Sequence, residues 1–314
     1  MATIREWINA SRPKTLGAAI APVAVGTVIA WKHSGQFSIL LLACTLGSTI
    51  CLQIATNFFN DALDFIKGAD TQQRIGPTRI TAAGAASSRT TLTAAFLTLA
   101  AAALLGIPLI EACGWPILLI GLPSLYFCYG YTGGPHPLAY RGLGELFVIL
   151  FFGFIAVLGS AFVQSGQWYW DALVAGLQIG CLSTVLIAIN NLRDIAEDRT
   201  TGKNTLAARF GITFARWEII TLILTAHLSG FHWWLQGDHN AFTYPLLLLP
   251  VGLWITIGTF STPPSPLYNR YLAVSGIQLL LFSILLCIGL SSHSHHAVSS
   301  TISTPRFYLQ AFLN

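Results

Sequence analysis

Residues 57–70 read NFFNDALDFIKGAD and close an apolar run that starts near residue 38. The run is long enough to cross a bilayer, yet it ends in amides and carboxylates. On a helix, positions four apart share a face. Gln53, Asn57, Asn60 or Asp61, and Asp64 therefore form one polar stripe climbing out of the apolar segment. One acidic helix end alone reads as an ordinary solvated loop. A second one stands in residues 189–211, INNLRDIAEDRTTGKNTLAARFG, where Asn190, Asp194 and Asp198 are spaced i, i+4 and i+8. Both stripes run amide first and carboxylate after, and both lead into a basic loop. Ionisable groups at membrane depth are functional unless shown otherwise.

The rest of the chain sets this pair in lipid. Of its 314 residues 54% are hydrophobic and 9% are charged, with mean hydropathy +0.65. A soluble domain carries about 25% charged residues, so lipid must be this chain's solvent. Spans of about 20 apolar residues occur nine times, at roughly 15–32, 38–59, 90–110, 114–131, 144–164, 170–191, 213–235, 241–260 and 270–291. The fold class expected is all-α: a polytopic bundle of nine transmembrane helices. Residues 1–291 form one membrane domain, and 292–314 read as a flexible tail. MATIREWINASRPKT at 1–15 is polar and of mixed charge, more like a surface helix than a cleavable leader.

Charge gives the orientation. With the N-terminus inside, every Lys and Arg except Lys32 and Arg306 falls on the inner side. The positive-inside rule then predicts an integral protein of the plasma (inner) membrane, with the site opening near the cytoplasmic face. The formal charge of +4 comes mainly from these inner loops. It fits an anionic membrane surface or anionic substrate and gives no reason to invoke nucleic acid. The six cysteines lie in or beside apolar runs without CxxC spacing, which argues against a disulfide or zinc framework. Nothing in the sequence points to a protein partner. A transporter would place its polar residues near the midplane with access from both faces, whereas here they collect at one face.

Close carboxylates repel unless a cation sits between them. Hard oxygen ligands suit Mg2+, which binds one or two carboxylates together with substrate phosphates. Two facing stripes could hold about two such ions and one diphosphate, with Lys67, Arg74, Arg193 and Lys203 neutralising the remaining charge. A diphosphate so held is a good leaving group. An allylic lipid would leave it as a cation, which aromatic faces stabilise; Phe58, Phe59, Tyr126, Tyr129 and Tyr131 are the candidates near that end.

NDALDFIKGAD and NNLRDIAEDRTTGKNTLAARFG resemble the two aspartate-rich motifs of the UbiA superfamily of intramembrane aromatic prenyltransferases. SRPKTL at 11–16, RIGPTRIT at 74–81, GLGELFVILFFG at 142–153 and GKNTLAARFG at 202–211 resemble its menaquinone branch. The resemblance implies a nine-helix bundle that uses Mg2+ to join a prenyl diphosphate to 1,4-dihydroxy-2-naphthoate, with loss of the carboxylate as CO2. Phytyl transfer to the same ring, or prenylation of 4-hydroxybenzoate or homogentisate, are the alternatives. Carried over by position, Asn60, Asp61, Asp64, Asp194 and Asp198 become metal ligands. Asn60, Asp64, Asp194 and Asp198 are then catalytic, and Lys67, Arg74, Arg193, Lys203, Asn57, Asn190 and Arg12 bind substrate. Arg12 or Lys14 could hold the acceptor's carboxylate, the alternative for both being ordinary positive-inside anchoring. Glu145 reads equally as a helix N-terminal charge or a catalytic group. HSHH at 293–296 reads as part of a loose tail, and Trp31, Trp168, Trp170, Trp233 and Trp234 as an outer aromatic belt.

Overall fold

The structure is a computed structural model that describes residues 2–70, 75–77 and 79–292. All nine apolar runs are helical. A short helix, α1 (Ile4–Ala10), is capped by Thr3 and Glu6, which bond each other's backbone N–H groups. It leads at a bend of 49° into α2 (Gly17–Ser34). Next come α3 (Ile39–Ile66), α4 (Ser88–Cys113), α5 (Trp115–Gly130), α6 (Gly144–Ser165) and α7 (Trp170–Arg193). Two short helices, α8 (Ile195–Thr200) and α9 (Leu206–Phe210), shape the following loop. The seventh run divides at Ser229–Gly230 into α10 (Ile212–Leu228) and α11 (Phe231–Leu235). The eighth, α12 (His239–Ser261), breaks after Pro245 into two helical pieces. The last is α13 (Tyr268–Ser291). Six helices pass a length and apolarity test for spanning, and the bent pair ending in α2 makes a seventh. The other two runs give the shorter helices α5 and α10. The tail from residue 293, HSHH included, lies outside the described residues.

α3 has 28 residues, or about 42 Å at 1.5 Å per residue. A bilayer core is about 30 Å thick. The excess turns carry Asn57 to Asp64, which is how an apolar helix can end in acid. Helix α7 is the centre of the bundle: 78% of its apolar span is buried, against 17% in α3 and α4. It packs on α2, α6, α10 and α13, and the largest apolar core surrounds it through residues such as Ile29, Ile179, Ile189, Ile223 and Phe282. Backbone contact between α6 and α7 depends on glycine. A Cβ on Gly153 would stand 2.4 Å from the carbonyl oxygen of Gly176 and 2.7 Å from Cα of Gly180. Small residues let membrane helices approach this closely.

Polar contacts divide between two ends, as the alternation of loops requires. At one end Asn57 donates to the carbonyl of Ser11, the amide of Asn204 to the carbonyl of Tyr140, and Arg216 to the carbonyl of Thr262. The other end holds Lys32 paired with Asp238, and Asp171 between His33 and His232 at 2.9 Å each. Trp233 departs from the expected belt. It is fully buried, and its indole N–H donates to Oε1 of Gln178 at 2.9 Å. That internal partner lets the ring leave the interface.

Candidate active site

The two stripes come together at the first of these ends. Asp64, from α3, accepts from the Tyr140 hydroxyl at 2.8 Å and pairs with Arg79 at 2.9 Å. Lys203, which follows the second stripe, lies 3.8 Å from the same carboxylate. A residue of one motif thus touches a residue of the other. Arg79 also lies 3.1 Å from Asp70 and donates to the carbonyl of Asn60 at 2.5 Å. Burial opposes the Arg79 charge, but Asp64, Asp70 and Asp61 outweigh it and hold the guanidinium protonated. Tyr140 lies between two cations: Lys67 is 4.2 Å and Lys203 5.8 Å from its ring centre. Burial, Asp64 foremost among the charges, pushes its phenol well up, so it donates rather than ionises. Lys67 donates to the carbonyl of Thr132, and burial holds its ammonium below the ordinary value.

Asp64, Arg79 and Lys203 stand at the mouth of a cavity of about 560 Å3. Arg12, Asn57, Asn60, Asp64, Arg79, Asn190 and Lys203 line its polar end. Below them the wall is apolar. Its aromatic part comes from Phe127, Phe147 and Phe151, with ring centres 4.9–5.7 Å apart, and from Tyr131 and Phe152. Of the aromatics expected from sequence only Tyr131 lines the cavity. Phe58 and Phe59 are instead buried against Trp7, Phe96 and Tyr129. Arg12 reaches the cavity from a left-handed backbone conformation (φ 53°), the one non-glycine residue so placed among those described. Asn57, bonding Ser11, holds that turn against α3.

Some expected ligands face elsewhere. Asp61 does not line the cavity. Its two oxygens accept from the amides of Ile80 at 3.1 Å and Thr81 at 3.0 Å, so it fastens the Arg79 loop to α3. Adjacent helical positions point about 100° apart, so Asp61 and Asn60 cannot serve one site equally. Arg193 is 1% exposed and does not line the cavity. It grips both oxygens of Asp194 at 2.7 Å and also donates to Asn190 and Asn269 at 2.6 Å. Asp194 and Asp198 are buried and are not among the residues lining the cavity, and Thr205 donates to Asp198 at 3.2 Å. Burial pushes the Asp198 carboxyl up to about 6; Lys203 opposes this, while Asp194 and Asp64 add to it. Arg74 lies outside the described residues. Among those described, no three His, Cys, Asp or Glu side chains stand together as one metal cage. The donors suit a hard cation that takes few protein oxygens and completes its shell with phosphate.

Residues 19–266 match the UbiA prenyltransferase family. The chain belongs to that family. A 1,4-dihydroxy-2-naphthoate octaprenyltransferase of Mycobacterium tuberculosis is 40% identical over 212 residues, covering 67% of this chain and 72% of the relative. The enzyme of the same description from Mycobacterium leprae is 34% identical over 264 residues, 84% of each. A UbiA homologue from Archaeoglobus fulgidus, solved with GPP and Mg2+ bound, superposes with TM-score 0.64 at 16% identity, over 91% of this chain and 99% of that one. The chain is an integral membrane enzyme that transfers prenyl groups. Within the UbiA fold, Arg79 and Tyr140 are the site residues that sequence reasoning missed. Arg79 is the second arginine of RIGPTRIT at 74–81, a loop string whose spacing carries no helical direction.

Proposed function

We propose that this protein transfers a polyprenyl group from its diphosphate to 1,4-dihydroxy-2-naphthoate, releasing diphosphate and CO2 and giving demethylmenaquinol. One observation carries the reading: Asn57, Asn60 and Asp64 of the first motif and Asn190 and Lys203 of the second line the polar mouth of one apolar cavity, with Lys203 3.8 Å from Asp64. A diphosphate fits the mouth and a lipid chain the cavity. Relatives at 40% and 34% identity are naphthoate octaprenyltransferases, which favours that acceptor over hydroxybenzoate. The homologue with bound GPP and Mg2+ favours Mg2+ as the metal.

In this reading Asn60, Asp64, Asp194 and Asp198 are the residues that would hold Mg2+, and the metal would supply positive charge to the leaving diphosphate. Asp61 is reassigned from ligand to loop anchor. Arg79, Lys67 and Lys203 bear on the diphosphate, and Tyr140 holds Asp64 in register between the two lysines. Arg193 fixes the Asp194 carboxylate. Arg12, across the mouth, takes the acceptor's carboxylate. The aromatic wall stabilises the allylic cation and excludes water. Alkylation at the carboxylated carbon leaves that carbon tetrahedral, and loss of CO2 restores the ring. The mouth faces the cytoplasm of the inner membrane, where the basic loops lie.

The test uses purified protein with prenyl diphosphate, carboxyl-labelled naphthoate and Mg2+. Diphosphate, prenylated product and labelled CO2 are expected in equal amounts, with none after chelation. A product that keeps the label would move the chain toward a non-decarboxylating acceptor.

A further inference from the structure

Glu145 begins α6 and lines the cavity. It is 4% exposed. Its Oε1 accepts from Nδ2 of Asn191 at 2.7 Å, while Oε2 is buried with no hydrogen-bond partner among the described residues. A carboxylate oxygen left unmatched beside an apolar cavity is costly, so the position demands a partner. Diphosphate cannot be that partner, because both are anionic. A neutral O–H on an apolar body can be. The walls beside Glu145 suit such a body: Phe127, Phe147 and Phe151 are flat, and Gly144 leaves room for Tyr131, whose Oη would stand 2.9 Å from a Cβ there.

Resting on the functional reading above, we propose that Glu145 is a catalytic residue of the acceptor side, its Oε2 receiving the ring hydroxyl adjacent to the carbon that is alkylated. The allylic C–O bond breaks and its electron pair leaves with diphosphate. A ring π pair forms the new C–C bond. The neighbouring hydroxyl becomes a carbonyl, and its proton passes to Oε2. The intermediate is then a β-keto carboxylate. Loss of CO2 returns the C–C pair through the ring to the oxygen, which recovers its proton from Oε2. Glu145 ends as it began. Asn191 is the positioning residue, since its amide holds Oε1 and turns Oε2 to the hydroxyl.

The test compares wild type, Glu145→Gln and Glu145→Asp in lipid nanodiscs with saturating Mg2+. Gln keeps the volume and an oxygen for Asn191. It is expected to lose about 100-fold or more in kcat/KM for the naphthoate, the usual scale for a general base. Donor KM should stay within about twofold, because the diphosphate end is untouched. The deficit should shrink as pH rises from about 7 to about 9, where phenolic hydroxyls begin to ionise unaided. A loss below about threefold, or one equal at every pH, overturns the role. Should Gln fail to accumulate in the membrane, Asp carries the test. Set back by one methylene, it should lose about tenfold or more in kcat with donor KM unchanged; full activity or a raised donor KM overturns the role. A wild type that leaves the naphthoate unprenylated overturns the functional reading, and this inference with it.

Discussion

Asp61 and Asp64 are three positions apart on one helix, yet their surroundings assign them opposite tasks. Asp61 is saturated by the amides of Ile80 and Thr81, whereas Asp64 faces cations and a phenol at the cavity mouth. Asp61→Ala removes the acceptor for two buried N–H groups. It should cost about 1–3 kcal/mol of stability and leave the Mg2+ dependence of turnover close to wild type once the protein is folded. Asp64→Ala should reach the membrane in normal amount and abolish turnover at any Mg2+ concentration. Thermal melting in detergent and a Mg2+ titration of activity separate the two; an Asp61 variant with weakened Mg2+ dependence would return it to the ligands. Arg193→Leu is a third case. It removes the guanidinium that grips both oxygens of the buried Asp194 carboxylate, and breaking such a pair costs about 3–5 kcal/mol. Its main symptom should be a lowered melting midpoint, with donor KM changed less than in Arg79→Gln. Arg79 touches Asp64, Asp70 and Asn60 together, so Arg79→Gln should raise donor KM by about tenfold or more while naphthoate KM stays near wild type. The reverse pattern would place Arg79 with the acceptor.

Helices α6 and α7 carry Glu145 and Asn191, the acceptor side in the proposed reading, and their docking rests on Gly153, Gly176 and Gly180. Gly153 lies in a π-helical stretch, Ile149–Ile155, a feature that often accompanies functional sites. A methyl at Gly153 would meet backbone, which cannot swing aside as a side chain can. Gly153→Ala should therefore force the helices apart, at about 1–3 kcal/mol for an overpacked core. It should also lower kcat by disturbing Glu145 against Asn191. Equal kcat in Gly153→Ala and wild type would show that the pair tolerates such a shift. At this scale the limits of sequence reading are plain. Stripes on regular helices are legible because period fixes direction, and Asn57, Asn60, Asp64 and Asn190 of those stripes line the cavity. Arg79 and Tyr140 come from irregular segments that have no period. Arg193 is helical, but its direction was set by Asn269 of α13, a tertiary partner that no local pattern names.

Across the whole molecule, the cavity joins the two ends that the polar contacts define. It runs from Arg12, Asp64 and Lys203 to Leu109, Ile117 and Val163, which belong to a separate apolar cluster with Cys44 and Phe162. That cluster lies beside Ser38 and Gln164, at the end remote from the acidic stripes. A lipid chain held by its diphosphate at the mouth would thus extend through the depth of the bundle. Nine apolar runs and their alternating loops were readable from composition and charge, but this passage was not, because it is made by what the helices omit. Gly106 of α4 and Gly121 of α5 both line it, and a Cβ on either would meet nothing within 4 Å. Gly121→Phe should consequently fold, since it displaces no neighbour at its first atom, and should fill the passage well below the diphosphate. A short donor such as geranyl diphosphate ends above or near the block, whereas an octaprenyl donor must pass it. The expected result is a fall of about tenfold or more in kcat/KM for the octaprenyl donor, with geranyl transfer and naphthoate KM nearly unchanged. Steady-state rates with both donors in one lipid preparation decide it. Equal losses on the two donors would show damage to packing rather than a blocked passage, and no loss on either would place the lipid chain along another route out of the site.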